Sequence, residues 1–372
     1  TLNAHRESDV AARASPNALS AHRCVGAWAT SAWAAMRLRR LPAACLLGLL
    51  VLPRGAASFP DSPDLWLRRG ALAANNPLYG RRILREELPA LLALAEAARA
   101  LPVDQAGFSV AYLIQGEEDT DEKEAAMFGD ASDAFVLTFR RHRESALFFP
   151  DSRLAEGRNV LLAAAAFEEF RRGARYTYYV FLDADAGVVT SWNRAVFRFE
   201  AFLREWEPAV GVPASEEAPA AASAEGAGGV PASVFLFDDI VVAVHAEAAP
   251  ALLPYQTDFD HKCAWVSQWT FKLLAHALFR NHTLMLPAVR VHNPEHSTYP
   301  KQDCFMEYQN ASRRLRALAP ERAQSCFPDP LVRGYLFAHG QLGPTAYLPW
   351  GTARRKRGPR GAVDYSAAAV DR

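Results

Sequence analysis

The chain has 372 residues, 50% of them hydrophobic and 22% charged, with 24 Pro and 21 Gly. This is globular composition and excludes a collagenous, coiled-coil or wholly disordered chain. The formal charge is zero, yet residues 1–58 and 352–372 are basic, while residues 59–351 carry 28 basic against 37 acidic groups. An acidic middle excludes broad nucleic-acid binding, which needs a basic surface, and leaves carboxylates for a cation.

Residues 1–35 are an aperiodic mixture of Ala, Ser, Arg and His, read as a disordered leader or an extension ahead of a start at Met36. Arg37, Arg39 and Arg40 then precede the apolar run Leu41–Leu52 and a small-residue exit ending at Ser58, the pattern of a secretory signal over 36–58. About 12 apolar residues span roughly 18 Å as a helix, short of the ~30 Å hydrocarbon core. A cleaved signal is therefore expected, with membrane association through 41–52 if it is retained.

Residues 64–100 read as helix, with Leu84, Leu88, Leu91, Leu92 and Ala95 at three- and four-residue spacing, inside a helical segment over 59–107. From Phe108 the pattern changes. Phe108–Gln115, Ala134–Phe139, Ala146–Phe149 and Tyr176–Leu182 are apolar runs of strand length, and Glu117–Ala126 and Glu156–Arg171 are helix-compatible. The helix Ala195–Trp206 follows, then strands Ala209–Val212, Val234–Phe237 and Ile240–His245, a helix Val266–Phe279 and a strand Thr283–Val291. Residues 214–232 are Ala/Glu/Gly/Ser-rich and too poor in bulky apolar groups to pack, which predicts a surface loop. Strands alternating with helices imply an α/β fold with a mostly parallel sheet covered on both faces, one main domain over 108–351 and a basic disordered tail over 352–372.

Cys263, Cys304 and Cys326 leave room for one bridge and one free thiol, Cys304–Cys326 being favoured because it closes a modest loop. No CxxC or Cys/His spacing suggests zinc. The sequons at Asn281 and Asn310 are acceptors if the chain is secreted.

The sharpest feature is Tyr178-Tyr179-Val180-Phe181-Leu182-Asp183-Ala184-Asp185, an apolar strand running into two carboxylates one residue apart. Residues i and i+2 of an extended chain share a side, so Asp183 and Asp185 can address one divalent cation. Ligands of open α/β sheets gather at the carboxyl ends of strands, and Mg²⁺ or Mn²⁺ suits one or two carboxylates plus substrate phosphate oxygens.

This strand end and the order of elements over roughly 108–300 resemble the GT-A fold of nucleotide-sugar-dependent glycosyltransferases. The resemblance implies a cation at Asp183 and Asp185 that holds the donor's diphosphate. It also implies donor contacts from Glu156-Gly157-Arg158-Asn159, with Arg158 on phosphate and Asn159 on ribose or sugar, and a nucleoside seat at Gln115. A further metal ligand, His292 or His296, is implied near the end of the domain. For the base that deprotonates an acceptor hydroxyl, Asp258 and Asp260 lead because they adjoin Tyr255, Trp265 and Trp269, with Asp238 and Asp239 next. The expected function is metal-dependent sugar transfer from a nucleotide sugar to a glycan, protein or lipid acceptor in the secretory pathway. The competing expectations are a carbohydrate-binding or inactive relative and a nucleotidyltransferase. The acidic run Glu117–Asp121 disfavours the last, which needs a Gly-rich basic phosphate loop.

Overall fold

In a computed structural model, residues 70–104, 107–116, 120–129, 132–216, 231–234, 237–279, 282–292, 304–318 and 349–352 are described. Strand β1 (Val110–Gln115) is buried at all its positions, as a strand covered on both faces must be. It pairs in parallel with β2 (Ser132–Thr138) and with β4 (Tyr178–Asp183), and β2 pairs in parallel with β3 (Leu147–Phe148). On the far side of β4 lie β8 (Val241–His245), β6 (Val210–Ser215), β9 (Thr283–His292), β7 (Ala232–Val234) and β10 (Pro349–Thr352), in that order. The short β5 (Gly187–Val188) pairs with β9 off this path. β8 runs against both its neighbours, whereas β6 and β9 are parallel to each other. The sheet is therefore mixed but mostly parallel in direction, with β5, β7 and β8 reversed.

Alternate side chains of these strands feed two apolar layers. Leu113, Phe135 and Phe181 pack with Val160, Leu161 and Ala164 of α3 (Leu154–Arg172), with Leu88 and Leu91 of α1 (Leu88–Ala98), and with Phe271 of α6 (Ala264–Phe279). Tyr112, Ile114, Val136 and Val180 pack on the other face against Phe199, Phe202 and Leu203 of α4 (Trp192–Trp206). The single α/β domain has a curled sheet flanked by helices, consistent with a GT-A-like architecture. The remaining helices are α2 (Asp121–Met127), α5 (Ala249–Leu252) and α7 (Phe305–Leu318). α3 stops at Gly173, whose φ of 72° glycine alone adopts cheaply.

The continuous helix expected over 64–100 is interrupted. Residues 70–75 are helical and a 3-10 turn, Arg85–Glu87, leads into α1. Between them Pro77 lacks an N–H and disfavours helix at Asn76, whose side-chain amide donates to Ala164 O instead. Leu78 and Ile83 drop into the core, and Tyr79 and Arg82 bridge to β3. The favoured Cys304–Cys326 bridge is also corrected: Cys304 bonds Cys263, with Cα atoms 6.1 Å apart, joining the starts of α6 and α7. A shorter loop gains little because closure entropy varies only logarithmically with length, so proximity in the fold decides. Ala214 and Ser215, assigned to the low-complexity loop, complete β6. Residues 217–230, the leader, the signal region, Glu117, Glu118, His296, Cys326 and the tail beyond Thr352 lie outside the described residues. Among the described residues no helix is long and apolar enough to cross a membrane.

Candidate active site

The parallel strands β1 and β4 end together, with Gln115 opposite Asp183 in register. Beyond them the turn Asp183-Ala184-Asp185 is fastened by its backbone. The Asp183 N–H donates to Ile240 O at 3.0 Å, the Ala184 N–H to Gln115 O at 2.8 Å, and the Ala186 N–H to Asp183 O at 3.0 Å. Gly116 permits this closeness, since a Cβ there would lie 2.1 Å from the Ala184 Cβ. The Lys123 ammonium of α2 donates to Ala184 O and lies 5.6 Å from the centroid of the Trp192 ring.

Arg158 lies on the same face of α3 as Leu161 and Ala165, and is therefore carried inward, where it is 1% exposed. Its Nη2 donates to Asp183 Oδ1 at 2.9 Å and to Asp239 O at 2.8 Å, and its Nη1 donates to the Tyr255 hydroxyl at 3.2 Å. The rings of Phe181 and Tyr255 flank the guanidinium. Burial disfavours the cation, but Tyr255, Asp183 and Asp239 outweigh it and hold Arg158 protonated. The contact that the structure gives Arg158 is an internal one, to Asp183. Burial, joined by Asp185 and Asp239, pushes the Asp183 carboxyl up to about 6 against the pull of Arg158. That side chain is 19% exposed, so water already moderates the burial effect.

Asn159 is fully buried, and its amide exchanges two 2.8 Å hydrogen bonds with the Tyr255 backbone. Gln115 is 8% exposed; its Nε2 donates to Arg153 O, while its Oε1 is buried with no hydrogen-bond partner among the described residues. Gly157 makes room for that amide, since a Cβ there would fall 2.2 Å from Gln115 Nε2.

His292, the last residue of β9, pairs with Gly187 of β5, two residues beyond Asp185. Its ring lies over the Gly187 backbone, where an added Cβ would be 2.3 Å from Nε2. His292 Nδ1 is 3.5 Å from a Glu216 carboxylate oxygen, too long for a good hydrogen bond. Register therefore brings His292 to the segment of the two aspartates.

Asp258 and Asp260 make contacts to other elements than the Asp183-Ala184-Asp185 turn. Asp258 is exposed and pairs with Arg314 of α7 at 3.1 Å. Asp260 is 4% exposed, and its Oδ2 accepts the Ala155 and Glu156 N–H groups at the start of α3, where capping carboxylates are favoured. Burial pushes its carboxyl up to about 6 against those two hydrogen bonds. Trp269 packs in an apolar cluster with Tyr308, edge to face. The turn before β8 supplies carboxylates instead: Asp238 is half-buried, and Asp239 is 2% exposed and ion-paired to Lys272 of α6 at 3.4 Å.

Among the described residues, the carboxylates of Asp183, Asp185, Asp238 and Asp239 and the cations of Arg158, Lys272 and Lys123 lie on this turn and the elements packed against it. Among the described residues no three His, Cys, Asp or Glu side chains converge to hold a metal by themselves. A cation shared with a bound phosphate would need only one or two protein carboxylates, here Asp183 and Asp185.

The chain is thus a single α/β domain, consistent with a GT-A-like fold, with an acidic turn at the carboxyl end of strand β4. The chain is similar to the solved structure of S. aureus TarS 1-349, with TM-score 0.39 and 11% identity over 63% of this chain and 73% of that one. It is also similar to S. aureus TarS 1-349 in complex with UDP-GlcNAc, with TM-score 0.39 and 12% identity over 62% and 73%. At that level the likeness carries no weight for activity. No protein-family model and no curated protein matches the chain.

Proposed function

We propose that the chain is a metal-dependent glycosyltransferase that moves a sugar from a nucleotide-sugar donor to a glycan, protein or lipid acceptor in the secretory pathway. The observation that carries this reading is the Asp183-Ala184-Asp185 turn, fastened to Gln115 and Ile240 and held by a buried arginine. Sugar transfer breaks the bond from the anomeric carbon to phosphate through an oxocarbenium-like state, and negative charge develops on the departing diphosphate. Asp183 and Asp185, with His292 beside them, would hold Mn²⁺ or Mg²⁺. Such a cation, when bound, supplies Lewis-acid stabilisation of that charge.

The other roles belong to the chain's own groups. Arg158 keeps Asp183 oriented, which saves reorganisation during transfer. Gln115 Oε1, an unsatisfied acceptor, suits a base N–H or a ribose hydroxyl, because a buried acceptor gains most from a donor. For the base that takes the acceptor hydroxyl's proton we favour Asp238, half-buried in the turn before β8, over Asp239, Asp258 and Asp260. The secretory setting is supported by the signal pattern over 36–58 and by the Cys263–Cys304 bridge, which an oxidising compartment favours.

The test is a donor screen, with nucleotide-sugar consumption followed in Mn²⁺. The account expects turnover with at least one donor and its loss in Asp185→Ala, whose circular dichroism should stay that of the parent. Full turnover in Asp185→Ala would overturn it.

A further inference from the structure

Lys272 is 8% exposed, and its ammonium lies 5.5 Å from the ring centroids of both Phe237 and Trp269. Its carboxylate partner Asp239 is buried, and among the described residues neither Asp239 oxygen has a well-formed hydrogen bond besides this 3.4 Å contact. A buried pair so sparsely hydrogen-bonded is a poor source of stability. Desolvating both ions offsets their attraction, and apolar replacements of similar volume are often neutral or stabilising. Its position accounts for it better. The backbone of the turn that Asp239 anchors accepts twice from the candidate site: Ile240 O from the Asp183 N–H, and Asp239 O from Arg158 Nη2.

We propose that Lys272 and Asp239 are positioning residues, which lock the turn before β8 and through it fix Arg158 and the Asp183 carboxylate at the rim. Its relevance to transfer rests on the proposed function, but the locking itself does not. Lys272 holds the Asp239 side chain, the Asp239 carbonyl holds Arg158, and Arg158 holds Asp183. The signal is absent from local sequence, because Lys272 lies in mid-helix and reaches a turn from another part of the chain. A misplacement of about 1 Å at a reacting group can cost on the order of a hundredfold in rate, so a distant lysine of this kind can govern turnover without touching substrate.

The experiment uses the full chain in three variants: Lys272→Met, the conservative Lys272→Arg, and the double variant Asp239→Asn/Lys272→Met. The double variant removes both charges and keeps the chain folded even if Lys272→Met alone, with its unpaired buried carboxylate, does not. The first readout needs no ligand: hydrogen exchange at the Arg158 guanidinium, followed by NMR and assigned by its disappearance in Arg158→Lys. The second is the kcat and KM of the donor reaction. The double variant should fold with a parental urea midpoint, exchange its Arg158 protons at least about tenfold faster, and lose kcat about tenfold or more with little change in KM. Lys272→Arg should restore slow exchange and most of kcat. Parental exchange at Arg158 in the folded double variant would overturn the proposal, as would parental kcat beside a catalytically active parent. Altered exchange in a chain whose parent turns over no donor would uphold the locking and reject the transferase reading.

Discussion

Asp183→Ala isolates what the Arg158 contact is worth. The guanidinium is 1% exposed, and its one carboxylate ion-pair partner among the described residues is Asp183, 2.9 Å away. Removing one member of a buried pair typically costs about 3–5 kcal/mol, because the remaining ion is left uncompensated. Here the Asp239 carbonyl, the Tyr255 hydroxyl and two ring faces remain, and the 19% exposure of Asp183 would admit water, so the lower end, about 3 kcal/mol, is expected. Asp183→Asn keeps an acceptor and should cost about half as much, since it exchanges a charge-assisted hydrogen bond for a neutral one. Arg158→Met combined with Asp183→Asn should recover most of the loss. With urea slopes of about 1–3 kcal/mol/M, a 3 kcal/mol loss lowers the midpoint by about 1 M or more. A shift in Asp183→Ala below about 0.5 kcal/mol would refute the account of Arg158. The prediction also makes Asp183 an impure functional probe, and Asp185 the cleaner one.

Glu169 is 2% exposed, and burial pushes its carboxyl from 4.5 to about 7 against hydrogen bonds from Tyr179 and Tyr176. A raised pKa means that the folded state holds the proton the unfolded state has lost, so this contribution is full below about pH 4.5 and gone above about 7. Burial lowers His245 to about 3, which adds the opposite trend below 6.5, so the comparison is best made as a difference. Relative to the parent, Glu169→Gln should gain up to about 3 kcal/mol between pH 4.5 and 7, and a pH-independent difference in guanidinium unfolding would contradict this. Cys263→Ser/Cys304→Ser, which opens a link across 41 positions, should lower stability by about 4 kcal/mol in the chain-entropy estimate, measured by urea unfolding. Gly116→Ala should cost about 1–3 kcal/mol in the same assay, because its Cβ meets both the backbone and the side chain of Ala184.

Much of the fold was legible because the strands are two-sided apolar runs and α3 and α4 carry helical spacing. Several features were not. The reversal of β8 leaves no local trace, since Val241–His245 is equally apolar read in either direction. β5 has two residues, too few for any period, and it is what brings His292 toward Asp185. The internal role of Arg158 was not legible: its place at a helix start suggested a phosphate contact, whereas its partners Asp183, Asp239 and Tyr255 come from other parts of the chain. Asp260 was weighed by its aromatic neighbours, whereas its hydrogen bonds go to a helix start about a hundred residues earlier, at Ala155 and Glu156. The break at Pro77 was visible, and the leucine periodicity that follows it masked it.

The central claim, that Asp183 and Asp185 engage a diphosphate through a divalent cation, is tested most directly by calorimetric titration of the chain with a nucleoside diphosphate, with and without Mn²⁺. The account predicts binding that requires Mn²⁺ in the parent and is weakened at least about tenfold in Asp185→Ala, with unfolding of that variant unchanged. Equal binding without the cation, or undiminished binding by Asp185→Ala, would contradict it.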